Sequence, residues 1–257
     1  MDPLDYAIRT AKEAGDLLLE RVGLPLETRE KGSRGDLVTA SDRAAEALIV
    51  ARLRAAYPDC SILGEEQGTY AGTSDERWIV DPLDGTTNYA HGYPIYCVSI
   101  AYERAGVLIA GAIYAPALGE MFAASLGKGA TCNGRPIAVS DADAVAESLV
   151  CTGFKPAFYE RNGENFARLS RRAQAVRRDG SAALDLAFVA AGRFDAFWEF
   201  DLSAWDVAAG AIIVREAGGT VSSIDGSTFD VAGGSTLATN GRTHREMCDA
   251  LAGSGEG

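Results

Sequence analysis

The chain has 257 residues, 47% of them hydrophobic, and 36 Asp and Glu against 24 Lys and Arg give it a formal net charge of −12. That balance argues against a nucleic-acid surface, no apolar run reaches the ~20 residues of a membrane-spanning helix, and the acidic start MDPLDY is the opposite of a signal peptide's basic n-region. A cytoplasmic protein is therefore expected, large enough to bury a substantial core as one domain or two intimate halves, with five scattered cysteines in the reduced state because they are odd in number and lack CxxC spacing.

The first predicted helix spans Asp5 to Val22, with Leu4, Ile8, Ala11 and Leu18 near one face. A loop containing KGSRG and Lys31 follows. The second helix runs from Ser41 to Tyr57, and Thr39-x-x-Asp42 at its start reads as a capping box. CSILG, Cys60 to Gly64, is a short apolar strand, and the Glu65-Glu66 pair after it is either a solvated loop or a charge held at a strand end.

WIVDPLDGTTN, Trp78 to Asn88, is the most informative segment. Trp78, Ile79 and Val80 read as a buried strand end. Pro82 lacks an N–H and cannot extend a ladder, while Gly85 permits backbone geometry that a Cβ resists, so the chain is expected to turn here. If Asp84 to Thr87 open a helix, its free N–H groups form an anion site beside Asp81 and Asp84. The plainer alternative makes Asp81 a turn residue and Asp84 an N-cap.

From Ile95 to Ile137 the pattern is that of an antiparallel meander, turning at Ala105-Gly106 and at an Asn133-Gly134 hairpin. Polar residues from Ser140 to Glu147 mark a boundary, after which strands near Leu149, Val176, Phe194, Val221 and Leu237 alternate with helical segments. Glu199 ends the apolar strand FDAFW, and WDVAAGAIIVREAGG, from Trp205, has helical spacing with Asp206 in its first turn, where a capping box with Ser203 would suffice to explain it. Taken together, Glu65, Asp81, Asp84 and Asp206 offer oxygen ligands only, which select magnesium or manganese over zinc.

GEE, DPLDGTTN and WDVAAG, in this order, resemble the signature segments of the inositol monophosphatase family of magnesium-dependent, lithium-sensitive phosphatases. KGSRGDLVTASD, NGR, GSAALDLAFVAAGRFDAFWE and TNGRTHRE extend the likeness over nearly the whole chain. The resemblance implies an α+β fold, a layered αβαβα sandwich, with the active site between residues 1–140, which hold most ligands, and residues 141–257, which supply Asp206 and the substrate pocket. It implies two or three Mg²⁺ ions, replaceable by Mn²⁺, held by Glu65, Asp81 and the Leu83 carbonyl and by Asp81, Asp84 and Asp206. Thr86 with Glu65 would orient or deprotonate the attacking water, Asp42 would support the Thr86 hydroxyl, and Lys31 would stand on a mobile loop near the metals.

Gly85, Thr86, Gly180, Ala182, Glu199 and Asp206 would meet the substrate, Glu199 as acceptor for an inositol hydroxyl. The implied activity is hydrolysis of a small-molecule phosphate monoester, inositol monophosphate with related polyol or sugar monophosphates, by a homodimer. Fructose-1,6-bisphosphatase and histidinol-phosphate phosphatase are sister readings, and a regulatory binding protein is a third of another class. Arg171, Arg172, Arg177 and Arg178 form a solvated face, a second-phosphate site or a subunit contact.

Overall fold

The computed structural model describes residues 2–23, 29–30 and 37–252, with the backbone alone for 29–30 and 37–38. Helix α1, Pro3–Arg21, starts two residues earlier than its apolar spacing suggests. Asp2 caps it by accepting the Leu4 N–H at 2.9 Å, and Pro3 occupies the position where a missing N–H costs nothing. The two-residue strands β1, Arg29–Glu30, and β2, Leu37–Val38, pair antiparallel. Helix α2, Ala40–Ala56, opens with the expected capping box.

An eight-stranded sheet follows in the order β10-β9-β8-β7-β6-β5-β3-β4. Its strands are β3, Ser61–Gly64, β4, Gly68–Tyr70, β5, Glu76–Asp84, β6, Cys97–Arg104, β7, Val107–Ala115, β8, Glu120–Ser125, β9, Ala130–Cys132, and β10, Arg135–Ile137. Only β3 and β5 run parallel. The expected meander is present from β6 to β10, and both predicted turns adopt positive φ, Ala105 and Gly106 at 49° and 77°, Asn133 and Gly134 at 50° and 73°, as a right-twisted two-residue hairpin demands. The five-residue helix α3, Thr86–Ala90, lies between β5 and β6.

The second sheet has the order β12-β11-β13-β15-β14. It is built from β11, Leu149–Thr152, β12, Ala175–Arg177, β13, Ala196–Ser203, β14, Thr220–Ser222, and β15, Gly233–Thr239, with helices α4, Tyr159–Arg172, α5, Ala182–Ala190, α6, Ala204–Glu216, and α7, His244–Ala252. The five layers are α1 and α2, the large sheet, α5 and α6, the small sheet, then α4 and α7. Helix α6 is apolar apart from Asp206 at its start and Arg215 and Glu216 at its end, which suits a helix covered on both sides. It packs on the large sheet and against α5 at once, and this brings a carboxylate from residue 206 to the end of β5.

Two sequence expectations need correction. Strand β5 does not stop at Asp81. It continues to Asp84 through a bulge in which one extra residue opposes β6, and Pro82 falls inside that bulge, where its missing N–H breaks no ladder bond. The turn comes at Gly85, whose φ of 89° is left-handed. Glu199 likewise does not end its strand, since β13 runs on to Ser203 past a bulge between Glu199 and Leu202. Both acids thus sit immediately before a one-residue bulge, a device that re-aims side chains beside a site.

Candidate metal centre and substrate pocket

Parallel pairing sets Gly64 opposite Val80, so Glu65 leaves β3 beside Asp81. The two carboxylates are close enough for the charge of Glu65 to raise the Asp81 pKa. Buried Glu46 on α2 pins the turn after Glu65, accepting the Glu66 and Gln67 N–H groups at 2.7 and 3.0 Å. Asp81 is 1% exposed, and its Oδ1 accepts the Leu83 N–H at 3.0 Å.

Asp84 is not an N-cap. Its Oδ2 accepts the Ser181 hydroxyl and the Ala183 N–H, both at 2.7 Å, and the Cys97 thiol stands 3.9 Å away. One carboxylate oxygen is thus committed to the start of α5. The Thr86 hydroxyl lies 2.9 Å from Asp42 Oδ1 and 3.0 Å from the Leu83 carbonyl oxygen. Asp42 serves both sequence readings at once, because its Oδ2 also accepts the Thr39 N–H at 2.8 Å.

Asp206 reaches the same place from α6. Ser99, paired with Asp81 across β5 and β6, donates its hydroxyl to the Trp205 carbonyl at 3.3 Å and fixes the start of α6 over the strand end. Asp206 Oδ2 accepts the Ser203 N–H at 2.8 Å, so its capping role is real and coexists with its place in the site. Lys155 Nζ stands 3.9 Å from the same oxygen.

Glu199 lies behind this group, 7% exposed. Gly153 on the loop after β11 makes room for it, since a Cβ there would sit within 2.5 Å of both carboxylate oxygens. Ala182 opens α5, and Gly180, before it, is held by Asn88, whose side-chain amide donates to the carbonyls of Ile95, Asp179 and Gly180 at 2.7, 2.8 and 3.4 Å. Lys31 lies outside the described residues.

The electrostatics are those of negative charges crowded in a dry site. Burial, then repulsion from Glu65, Asp84 and Asp206, raises Asp81 well above the ordinary carboxylate range. Burial also raises Asp84, against the opposing bonds from Ser181 and Ala183, and pushes Asp206 to about 7 and Glu199 to about 8. Burial works against the charge on Lys155, but Asp206, Glu199, Asp84 and Glu65 outweigh it and raise its pKa. Buried charges of one sign are costly unless a cation joins them. A set of oxygen donors only, each partly held by a neighbour, fits a hard divalent ion.

Ser181, Asn88, Glu46 and Lys155 are the residues that sequence reasoning missed. Ser181 adjoins Gly180 and Ala182, which the family likeness already singled out, and was within reach; the others acquire meaning only from packing. Three of the four arginines have separate partners. Arg172 lies 3.5 Å from Glu246, Arg177 donates to the Val176 carbonyl at 3.1 Å, and Arg178 covers the Phe154 ring at 5.8 Å and lowers Glu199 through its charge. A cavity of about 290 Å³ lies elsewhere, with Phe158 stacked on Phe200 and Arg161 4.6 Å over the latter ring. It contains none of the site carboxylates.

Carboxylates gathered at a strand end, a hydroxyl held by an acid, and a polar pocket behind them make a site suited to a hard cation and an anionic substrate. The inositol monophosphatase family model matches residues 1–256. An inositol-1-monophosphatase of Synechocystis is 44% identical over 97% of this chain and 88% of its own, and a protein of Pseudomonas aeruginosa named Nus factor SuhB is 44% identical over 96% and 95%. The crystal structure of the extragenic suppressor protein suhB from Bartonella henselae superimposes with a TM-score of 0.93 at 38% identity, covering 96% of this chain and 97% of that one. The chain belongs to the inositol monophosphatase family. No helix among the described residues is long and apolar enough to cross a membrane.

Proposed function

We propose that this enzyme hydrolyses inositol monophosphate, and related polyol or sugar monophosphates, to the alcohol and inorganic phosphate with Mg²⁺ as its metal. The observation that carries the reading is the convergence of Asp81, Asp84 and Asp206 from two elements distant in sequence, with Glu65 beside Asp81 and one oxygen of each aspartate already fixed by a donor. Glu65, Asp81, the Leu83 carbonyl, Asp84 and Asp206 are the residues that would hold the ions. Bound Mg²⁺ supplies neutralisation of phosphate charge and a lowered pKa for water.

The protein's own groups do the rest. Thr86, its proton directed to Asp42 or to the Leu83 carbonyl, turns an oxygen lone pair towards a water and orients it by accepting a hydrogen bond, while the Glu65 carboxylate takes the water's proton. The backbone at Gly85 and Thr86, where a helix begins, offers N–H groups lacking helical partners to phosphate oxygens. Glu199 accepts a hydrogen bond from a hydroxyl of the polyol, and Gly180 and Ala182 shape the wall beside it. A substrate lacking that hydroxyl leaves a buried acceptor unpaired and binds less well. Lithium inhibition and a homodimeric state belong to the same reading.

Phosphate release by the purified protein with Mg²⁺ tests it, using myo-inositol 1-phosphate, fructose 1,6-bisphosphate and histidinol phosphate in parallel and EDTA as control. Metal-dependent preference for the inositol ester is expected; preference for another ester assigns a sister activity, and no turnover of any overturns the reading. The Pseudomonas relative named a Nus factor supports a second role alongside catalysis, as a binding protein working through its surface. Partners retained equally by wild type and an Asp84→Asn variant are the expected result, and an absence of partners for both would remove this role.

A further inference from the structure

One buried acid has no part in the chemistry above. Asp185, in the first turn of α5, is 1% exposed, and its Oδ1 is shielded from solvent without a hydrogen-bond partner. A carboxylate so placed needs either a proton or a cation. Cys151 on β11, also buried, and Asp179, just before Gly180, stand next to it. One ligand atom from each of the three lies within 4.8 Å of the other two, and among the described residues this trio is the closest-set group of its kind. The site carboxylates Glu65, Asp81, Asp84 and Asp206 are not set closely enough to form such a group, and Asp81, Asp84 and Asp206 each have an oxygen held by a donor from Leu83, from Ser181 and Ala183, or from Ser203.

We propose that Cys151, Asp179 and Asp185 form a second metal site, for a borderline-soft divalent ion of the zinc type, separate from the oxygen-only centre. The thiolate makes the difference, since sulfur selects zinc-like ions over magnesium. Tetrahedral coordination at about 2.0–2.3 Å sets ligand atoms roughly 3.5 Å apart, so a trio lying within 4.8 Å would close by at most about 1.3 Å. Asp179, half-buried on a loop, is the member able to move, and water completes the shell. Binding releases the thiol proton and the Asp185 proton to solvent, and the cation offsets the thiolate and two carboxylates. The ion would join β11, the loop bearing Gly180 and the first turn of α5. That turn is the one that delivers Ser181 and Ala183 to Asp84.

The competing arrangement is a proton kept between the two aspartates, with no ion at all. Titration of the wild-type protein with Co²⁺ in excess Mg²⁺ distinguishes them. A thiolate-to-cobalt charge-transfer band, rising to one equivalent per chain and displaced by one equivalent of Zn²⁺, is expected. The oxygen-only centre cannot produce it, except through Cys97 near Asp84. Cys151→Ser should abolish the band, and Asp185→Asn should weaken Co²⁺ binding at least about tenfold. Separate Cys60→Ser, Cys97→Ser, Cys132→Ser and Cys248→Ser variants should each retain it, which identifies Cys151 even if its own replacement does not fold. A wild-type protein with no sulfur band, or a band lost in Cys97→Ser, overturns the proposal.

Discussion

Helices α2 and α6 begin alike and serve differently. Each has a hydroxyl residue, Thr39 or Ser203, followed three positions later by an aspartate whose Oδ2 accepts the N-cap N–H at 2.8 Å. At α2 the acid then meets a neutral donor, the Thr86 hydroxyl. At α6 it meets the carboxylates of Asp84 and Glu65, with Lys155 opposing them. Burial raises both acids, but donors from Thr39 and Thr86 restrain Asp42 while Asp206 rises to about 7. A capping motif therefore settles only how a helix starts. The role of its acid comes from whatever tertiary packing sets opposite the remaining oxygen.

The comparison breaks most visibly in activity. Asp206→Asn and Asp81→Asn should each lower kcat/KM by more than about 100-fold, beyond what loss of a supporting partner costs. Asp42→Asn should lower it by about 10–100-fold, because it disturbs Thr86 without removing a proposed metal ligand. Steady-state phosphate release measures both, and equal losses at the two helix starts would erase the distinction drawn here.

Stability should separate them in the opposite order. Asp42→Asn leaves buried donors of Thr39 and Thr86 imperfectly matched and should cost about 1–3 kcal/mol in denaturant unfolding. Asp206→Asn removes repulsion and should leave the metal-free protein as stable as wild type or more so.

The pH dependence follows from the same crowding. Asp206 and Glu199, ordinarily near 3.8 and 4.5, are raised to about 7 and about 8, so the folded state holds protons that the unfolded chain has released. Stability from these groups is thus greatest near their ordinary values and declines as pH rises through the folded ones. In EDTA the unfolding temperature should fall between about pH 5 and about pH 8, and Mg²⁺ should raise it most at the upper end. A metal-free protein that gains stability over that interval through these groups would contradict the assignment. The smallest effect is expected at Glu199→Gln, which should shift preference among polyol phosphates by about tenfold while leaving Mg²⁺ affinity unchanged.

Much of the layered fold was legible because its elements carry local signals: the caps at Thr39 and Ser203, the positive-φ hairpin at Asn133-Gly134, and the apolar strand before Asp81. The bulges after Asp81 and Glu199 were not, since an extra residue in a ladder depends on the register of the partner strand. Pro82 suggested a break and instead marked the bulge. Asn88 and Lys155 gave no signal of their own, because each works across a separation of tens of residues, Asn88 on the Asp179 carbonyl and Lys155 on Asp206.

Calorimetric titration of Mg²⁺ into wild type, Asp206→Asn and Asp42→Asn tests most directly whether the start of α6 is a metal ligand and the start of α2 only its support. The prediction is binding to wild type, binding to Asp42→Asn weakened by no more than about 100-fold, and loss of at least one ion from Asp206→Asn. Full Mg²⁺ binding by Asp206→Asn would contradict it.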